Sequence, residues 1–83
     1  MYYIYLLKLN DNNKKYYIGS TPDISKRVSE HSSGRSKFTS IRLPIELIYF
    51  EAYNSKELAI QREKKLKQFG SAYIGLLKRL NLK

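Results

Sequence analysis

The chain has no cysteine, no tryptophan and only one histidine among its 83 residues. Without cysteine it can hold no disulfide, no thiolate zinc site and no cysteine nucleophile. One histidine is too few for a histidine-rich metal centre. The longest apolar run, Met1 to Leu7, falls far short of the ~20 residues that span a bilayer. The N-terminus lacks the basic region and apolar stretch of a secretory signal, so a soluble cytoplasmic protein with no membrane contact is expected. A chain this short makes one domain, residues 1–83, and area scaling has it bury about 64% of its unfolded surface. That core is thin but sufficient.

Acidic residues are scarce too: seven, against sixteen lysines and arginines, for a net charge of +9. The excess is concentrated. Residues 26–42 hold Lys26, Arg27, Arg35, Lys37 and Arg42 against Glu30. Residues 61–79 hold Arg62, Lys64, Lys65, Lys67, Lys78 and Arg79 against Glu63. The rest of the chain is balanced. Two basic blocks in a small domain with eight tyrosines fit a polyanion, nucleic acid before acidic lipid. An ordinary solvated surface is the alternative.

Tyr2 to Leu9, rich in aromatic and branched residues, predicts a strand buried on both faces. The turn-forming cluster Asn10 to Lys14 follows, then a second strand over Lys15 to Ser20, making residues 2–20 an antiparallel hairpin. Thr21 and Pro22 predict a helix start, with Thr21 as N-cap, and the helix should stop in Ser32-Ser33-Gly34. Residues 33–44 are polar and loop-like. Ile45 to Tyr53 is the third predicted strand. Asn54-Ser55 should cap a second helix, Asn54 and Glu57 having capping-box spacing, which runs to about Phe69. Gly70-Ser71 should break it before a last helix over Ala72 to Leu80, with Ile74, Leu77 and Leu80 at helical spacing. The expectation is an α+β fold, a three-stranded antiparallel sheet flanked by helices in the order β-β-α-β-α-α.

Three constellations stand out. If the hairpin pairs residues of equal parity, such as Leu9 with Lys15, Tyr5 and Tyr17 project from one face, with Gly19 leaving space beside them. A pair of core aromatics is the alternative. On the first helix Asp23, Arg27 and His31 are one turn apart, so that a cation and an imidazole lie beside the Ile24–Val28 stripe. They suit a phosphate and its protons, or else Asp23 and Arg27 form an exposed ion pair. On the second helix Arg62 falls amid the apolar face of Leu58, Ala59, Leu66 and Phe69, with Glu63 at its border. Charges there need partners. A carboxylate aimed at a basic, tyrosine-lined site suits a hard divalent ion; a Glu63–Lys67 surface pair and a snorkelling Arg62 are the alternatives.

Taken in order, these residues resemble the GIY-YIG nuclease superfamily, small single-domain bacterial members in particular. Tyr3-Ile4-Tyr5 stands at the first motif and Tyr17-Ile18-Gly19 at the second. Ser20-Thr21, Arg27, Glu30-His31, Gly34 and Thr39 match the following segment, and Arg62-Glu63-Lys64 with Leu66-Lys67 resembles the helix bearing the metal-ligand glutamate. Tyr3 stands in place of the first motif's glycine, and the late asparagine of some members has no clear counterpart beyond Asn81.

The resemblance implies a metal-dependent DNA endonuclease, with structure-specific cutting in repair or recombination as one form of it and ordinary duplex as the alternative substrate. Glu63 would bind Mg²⁺ or Mn²⁺, Tyr17 would act on the attacking water with Tyr5 alongside, and Arg27 and His31 would assist. Lys26, Arg35, Lys37, Thr39, Arg42, Lys64 and Lys67 would contact DNA. The protein would be nucleoid-associated when bound, a monomer or transient dimer, with a protein partner as one source of specificity. The alternatives are a nucleic-acid-binding module that does not cleave or needs a partner to do so, and a structural protein on ribosomal RNA.

Overall fold

The computed structural model describes residues 1–12, 15–35, 43–68 and 70–82. The elements follow the expected order: β1 (Tyr2–Lys8), β2 (Tyr16–Thr21), α1 (Ile24–Ser32), β3 (Glu46–Tyr53), α2 (Lys56–Gln68) and α3 (Gly70–Arg79). The sheet is antiparallel throughout, in the order β2-β1-β3. Being central, β1 is covered on both sides, and its unbroken apolar run follows from that: Ile4, Tyr5, Leu6 and Leu7 are all buried. Ile4 and Leu6 face one way, into a core with Ile18, Ala59, Leu66 and Leu76 from β2, α2 and α3. Tyr5, Leu7 and Leu9 face the other way, against Ile24 and Val28 of α1. Among the described residues no helix is long and apolar enough to cross a membrane.

Several element ends differ from expectation. The N-cap of α1 is Asp23, whose carboxylate accepts from the Lys26 N–H (3.0 Å), not Thr21. Thr21 pairs with Tyr3 across the sheet, so the strand claims it, and its hydroxyl accepts from the Asp23 N–H instead. At the start of α2 it is Ser55, of the expected Asn54–Ser55 pair, whose hydroxyl accepts from the Leu58 N–H (3.4 Å). Gly70 and Ser71 form the first turn of α3 rather than a break before it. A first turn needs no intrahelical acceptors for its N–H groups, so helix-poor residues are tolerated there. Of the expected apolar faces, Ala59, Leu66, Leu77 and Leu80 pack against the core, but Leu58 and Ile74 are exposed, and Leu76 supplies the buried contact of α3.

Both α1 and α3 end in Schellman caps. Gly34 (φ 81°) closes α1, with the Arg35 N–H bonded to the Glu30 carbonyl and the Gly34 N–H to that of His31. Asn81 (φ 60°) does the same for α3, through bonds from Leu82 to Leu77 and from Asn81 to Lys78. That is a structural task, far along the chain from the tyrosine cluster.

Candidate active site

The hairpin register places Tyr5 opposite Gly19 and Leu7 opposite Tyr17, with the Leu9 N–H bonded to the Lys15 carbonyl at 2.7 Å. Equal parity therefore holds, and both tyrosines project toward α1. The space over Gly19 is not open, as expected from sequence, but filled by Tyr5 itself. A Cβ on Gly19 would lie 2.6 Å from Tyr5 Cζ and meet the phenol oxygen still more closely. Gly19 is the floor on which the phenol lies.

His31, in the last turn of α1, completes the cluster. Its ring meets Tyr5 edgewise with centroids 5.9 Å apart and Tyr17 at 5.2 Å, while the two tyrosine rings are 6.3 Å apart. The Tyr5 hydroxyl lies 3.0 Å from His31 Nε2, and both side chains are fully enclosed, at 1% and 0% exposure. Arg27, one turn before His31, bonds Glu30 Oε1 at 3.1 Å and also reaches the Tyr5 hydroxyl. The expected Asp23–Arg27 pair gives way to Arg27–Glu30, because the Asp23 carboxylate is occupied as the helix cap.

Burial dominates the protonation states here. It pushes the Tyr5 hydroxyl up to about 12, outweighing the Arg27 guanidinium that hydrogen-bonds it and pulls the other way. It also lowers His31, and the positive charge of Arg27 lowers it further. Tyr5 is thus a neutral phenol and His31 a neutral imidazole at pH 7.

Glu63 comes from the opposite side of the sheet. It lies on α2 between Ala59 and Leu66, the residues that anchor that helix to the core. Its Oε1 accepts from the Ser20 hydroxyl at 2.6 Å and its Oε2 from Lys67 Nζ at 2.7 Å. Ser20 follows Gly19 on β2 but points to the other face. Because β2 is an edge strand, α2 reaches around it, and Lys67 Nζ lies 5.8 Å from the centre of the Tyr17 ring. The Glu63–Lys67 alternative is therefore realised, as part of the tyrosine site rather than as an isolated surface pair.

The donor set suits a hard divalent ion only in a limited way. Among the described residues no three His, Cys, Asp or Glu side chains cluster together. Glu63 offers one carboxylate, fixed by Ser20, whose second oxygen already holds a cationic ammonium. Mg²⁺ is commonly bound by one or two carboxylates, completed by water and substrate phosphate, and Glu63 fits that pattern once Lys67 moves aside.

The other residues singled out from sequence are more scattered. Lys26, Arg35, Lys64 and Lys67 are exposed on or beside α1 and α2; Lys37, Thr39 and Arg42 lie outside the described residues. Arg62 does not snorkel. It forms a two-pronged pair with Glu51 of β3 (3.0 and 3.2 Å), which also accepts from the Tyr49 hydroxyl (2.6 Å) and the Tyr53 hydroxyl. Sequence reasoning named Ser20 and Glu30 only as part of the resemblance, without partners, and missed Glu51. For Ser20 the signal was available: its parity is opposite to that of Tyr17 and Gly19, on the face that α2 covers.

The sequence matches the GIY-YIG catalytic domain over residues 1–80. A UPF0213 protein of Staphylococcus epidermidis is 38% identical over 69 residues, covering 82% of each chain. Another, from Halobacterium salinarum, is 37% identical over 73 residues, covering 87% of this chain and 92% of the relative. The solution structure of a UPF0213 protein from Bacillus halodurans superposes with a TM-score of 0.55 at 32% identity, covering 96% of this chain and 85% of that one. The shared fold, the motif order and the extent of these matches leave one assignment: the chain belongs to the GIY-YIG catalytic-domain family, a family of nucleases.

Proposed function

We propose that this protein is an endonuclease that hydrolyses DNA phosphodiester bonds with a divalent ion, Mg²⁺ or Mn²⁺, held by Glu63. The observation that carries the reading is the meeting of two groups of side chains from opposite faces of the sheet around the β2 edge. Tyr17, the buried Tyr5–His31 pair and the half-exposed Arg27 come from one side, and Glu63 with Ser20 and Lys67 from the other.

Within that reading the roles follow from exposure. Tyr17 is half-buried and able to touch substrate, so its hydroxyl orients the attacking water and takes its proton. Tyr5 is enclosed and neutral, which makes it a positioning residue: with His31 it braces the ring of Tyr17. His31, lowered by burial, is a brace rather than the final proton acceptor. Arg27 faces the phosphate with a fixed positive charge and stabilises the extra charge of the transition state. When bound, the ion supplies Lewis-acid stabilisation of the leaving oxygen. Lys26, Arg35 and Lys64, with Lys37, Thr39 and Arg42 outside the described residues, hold flanking phosphates, in a role in DNA repair or recombination to which a protein partner adds specificity.

A labelled panel of duplex, flapped, branched and single-stranded DNA, incubated with Mg²⁺ or Mn²⁺, tests the proposal. The wild type cuts, and Glu63→Ala does not while remaining folded. Full activity in that variant would overturn the assignment of Glu63. Salt-dependent binding without any cutting by a folded wild type would instead assign a binding module.

A further inference from the structure

Lys67 occupies a particular place among the basic residues of α2. Arg62 is locked two-pronged onto Glu51. Lys64 and Lys65 are exposed on the solvent side. Lys67 instead directs its ammonium back over one helical turn to Glu63 Oε2 at 2.7 Å, and over the Tyr17 ring. The two partners of this ion pair are unequally held. The Glu63 carboxylate is 20% exposed and fixed at Oε1 by Ser20, whereas the Lys67 side chain is 48% exposed on a flexible stem. The ammonium is the part that moves.

We propose that Lys67 is an internal counter-cation that keeps a divalent ion off Glu63 until a DNA phosphate draws the ammonium away. This rests on the reading of Glu63 as the metal ligand. An ammonium and a divalent ion compete for the same carboxylate oxygen, and among the described residues no cluster of three His, Cys, Asp or Glu side chains stands by to hold the ion instead. Lysine suits the task better than arginine, because its compact, hydrated charge exchanges one oxyanion for another without a fixed planar geometry. The contact to the Tyr17 ring holds the ammonium between the two groups where substrate phosphate would arrive. DNA arrival and metal loading are then coupled, and linkage makes that coupling reciprocal. A lysine in this pair also follows the favoured helical order, with glutamate four residues before it, so that the uncoupled state is itself stable.

Two measurements on the intact protein test this. The first is Mn²⁺ binding without DNA, followed by electron paramagnetic resonance, for wild type, Lys67→Met, Lys64→Met and Glu63→Gln. Lys67→Met should bind about fivefold more tightly than wild type, the upper end of what a partly exposed ion pair contributes. Lys64→Met, which removes the same charge without touching Glu63, should change affinity by less than about twofold, and Glu63→Gln should lose the site. The second is the affinity for a labelled duplex, read by fluorescence anisotropy in EDTA and in Ca²⁺ at matched ionic strength. Lys67→Met should weaken binding little in EDTA, where the ammonium is tied to Glu63, and about fivefold in Ca²⁺, where it is free to meet phosphate. Equal losses in both conditions, or Mn²⁺ affinity in Lys67→Met no greater than in Lys64→Met, would overturn the proposal while leaving Glu63 as ligand. Absence of Glu63-dependent Mn²⁺ binding in every variant would overturn both readings together.

Discussion

Gly19→Ala adds one methyl group at the floor of the tyrosine cluster, and the geometry sets its effect. The new Cβ would lie 2.6 Å from Tyr5 Cζ and 3.0 Å from Cε2. Carbon atoms pack best at about 3.5–4.0 Å, so the ring must retreat by roughly 1 Å. It has no free direction: Tyr5 is 1% exposed, packed against His31 and tied to it through its hydroxyl. Overpacking of this kind costs about 1–3 kcal/mol. Gly19 is not at positive φ, so alanine suits its backbone and returns about 0.4–1 kcal/mol by restricting the unfolded chain. The net expectation is destabilisation by about 1–2 kcal/mol, read by urea unfolding. The His31 ring protons should shift in the NMR spectrum as the 3.0 Å contact is disturbed. The decisive arm is Tyr5→Leu: without the ring, Gly19→Ala should become neutral or stabilising. Equal destabilisation in both backgrounds, or a more stable Gly19→Ala protein with Tyr5 present, would refute the cradle.

Three further outcomes are expected. His31 is held below its ordinary value by burial and by Arg27, so the folded state binds fewer protons there than the unfolded chain does. Its contribution is complete above pH 6.5 and lost as pH falls below it; chemical unfolding between pH 7 and 5 should lose stability in wild type, and a His31→Gln protein with the same slope would argue against this. Tyr5 and Tyr53 are both pushed up to about 12, the first by burial and the second by burial and Glu51. Their contribution is present below pH 10 and lost as pH rises toward 12, so absorbance titration near pH 11 should leave these two phenols un-ionised until the protein unfolds. Glu51→Gln should destabilise by about 2 kcal/mol, because Arg62 loses its charged partner in a half-buried setting. If Arg62→Met restores no stability in that background, the pair is not the source.

Much of this architecture was legible along the chain. The unbroken apolar run of β1 specifies a strand covered on both faces, and the turn residues after Leu9 specify a hairpin. Parity then places Tyr5 and Tyr17 together, because strand side chains alternate strictly and only the register remained open. Helical periodicity put Arg27 and His31 on one face and Glu63 beside the core for the same local reason.

What a local pattern does not contain is which element lies against which. Asp23 became a helix cap rather than an ion-pair partner because Thr21 was taken by pairing with Tyr3. The partner of Arg62 is Glu51, eleven residues away on another element, and no spacing rule connects the two. The gap beside Gly19 proved to be the seat of Tyr5, a matter of side-chain reach across paired strands. Above all, the Tyr17 side chain and Glu63 lie on opposite faces of the sheet, and Lys67 spans the two because β2 is an edge strand that α2 can reach around. Residue types and periodicities determined the elements and the faces they present. Sheet order and the wrapping of a helix around a free edge depend on long-range packing, and they decided which of those faces share one site.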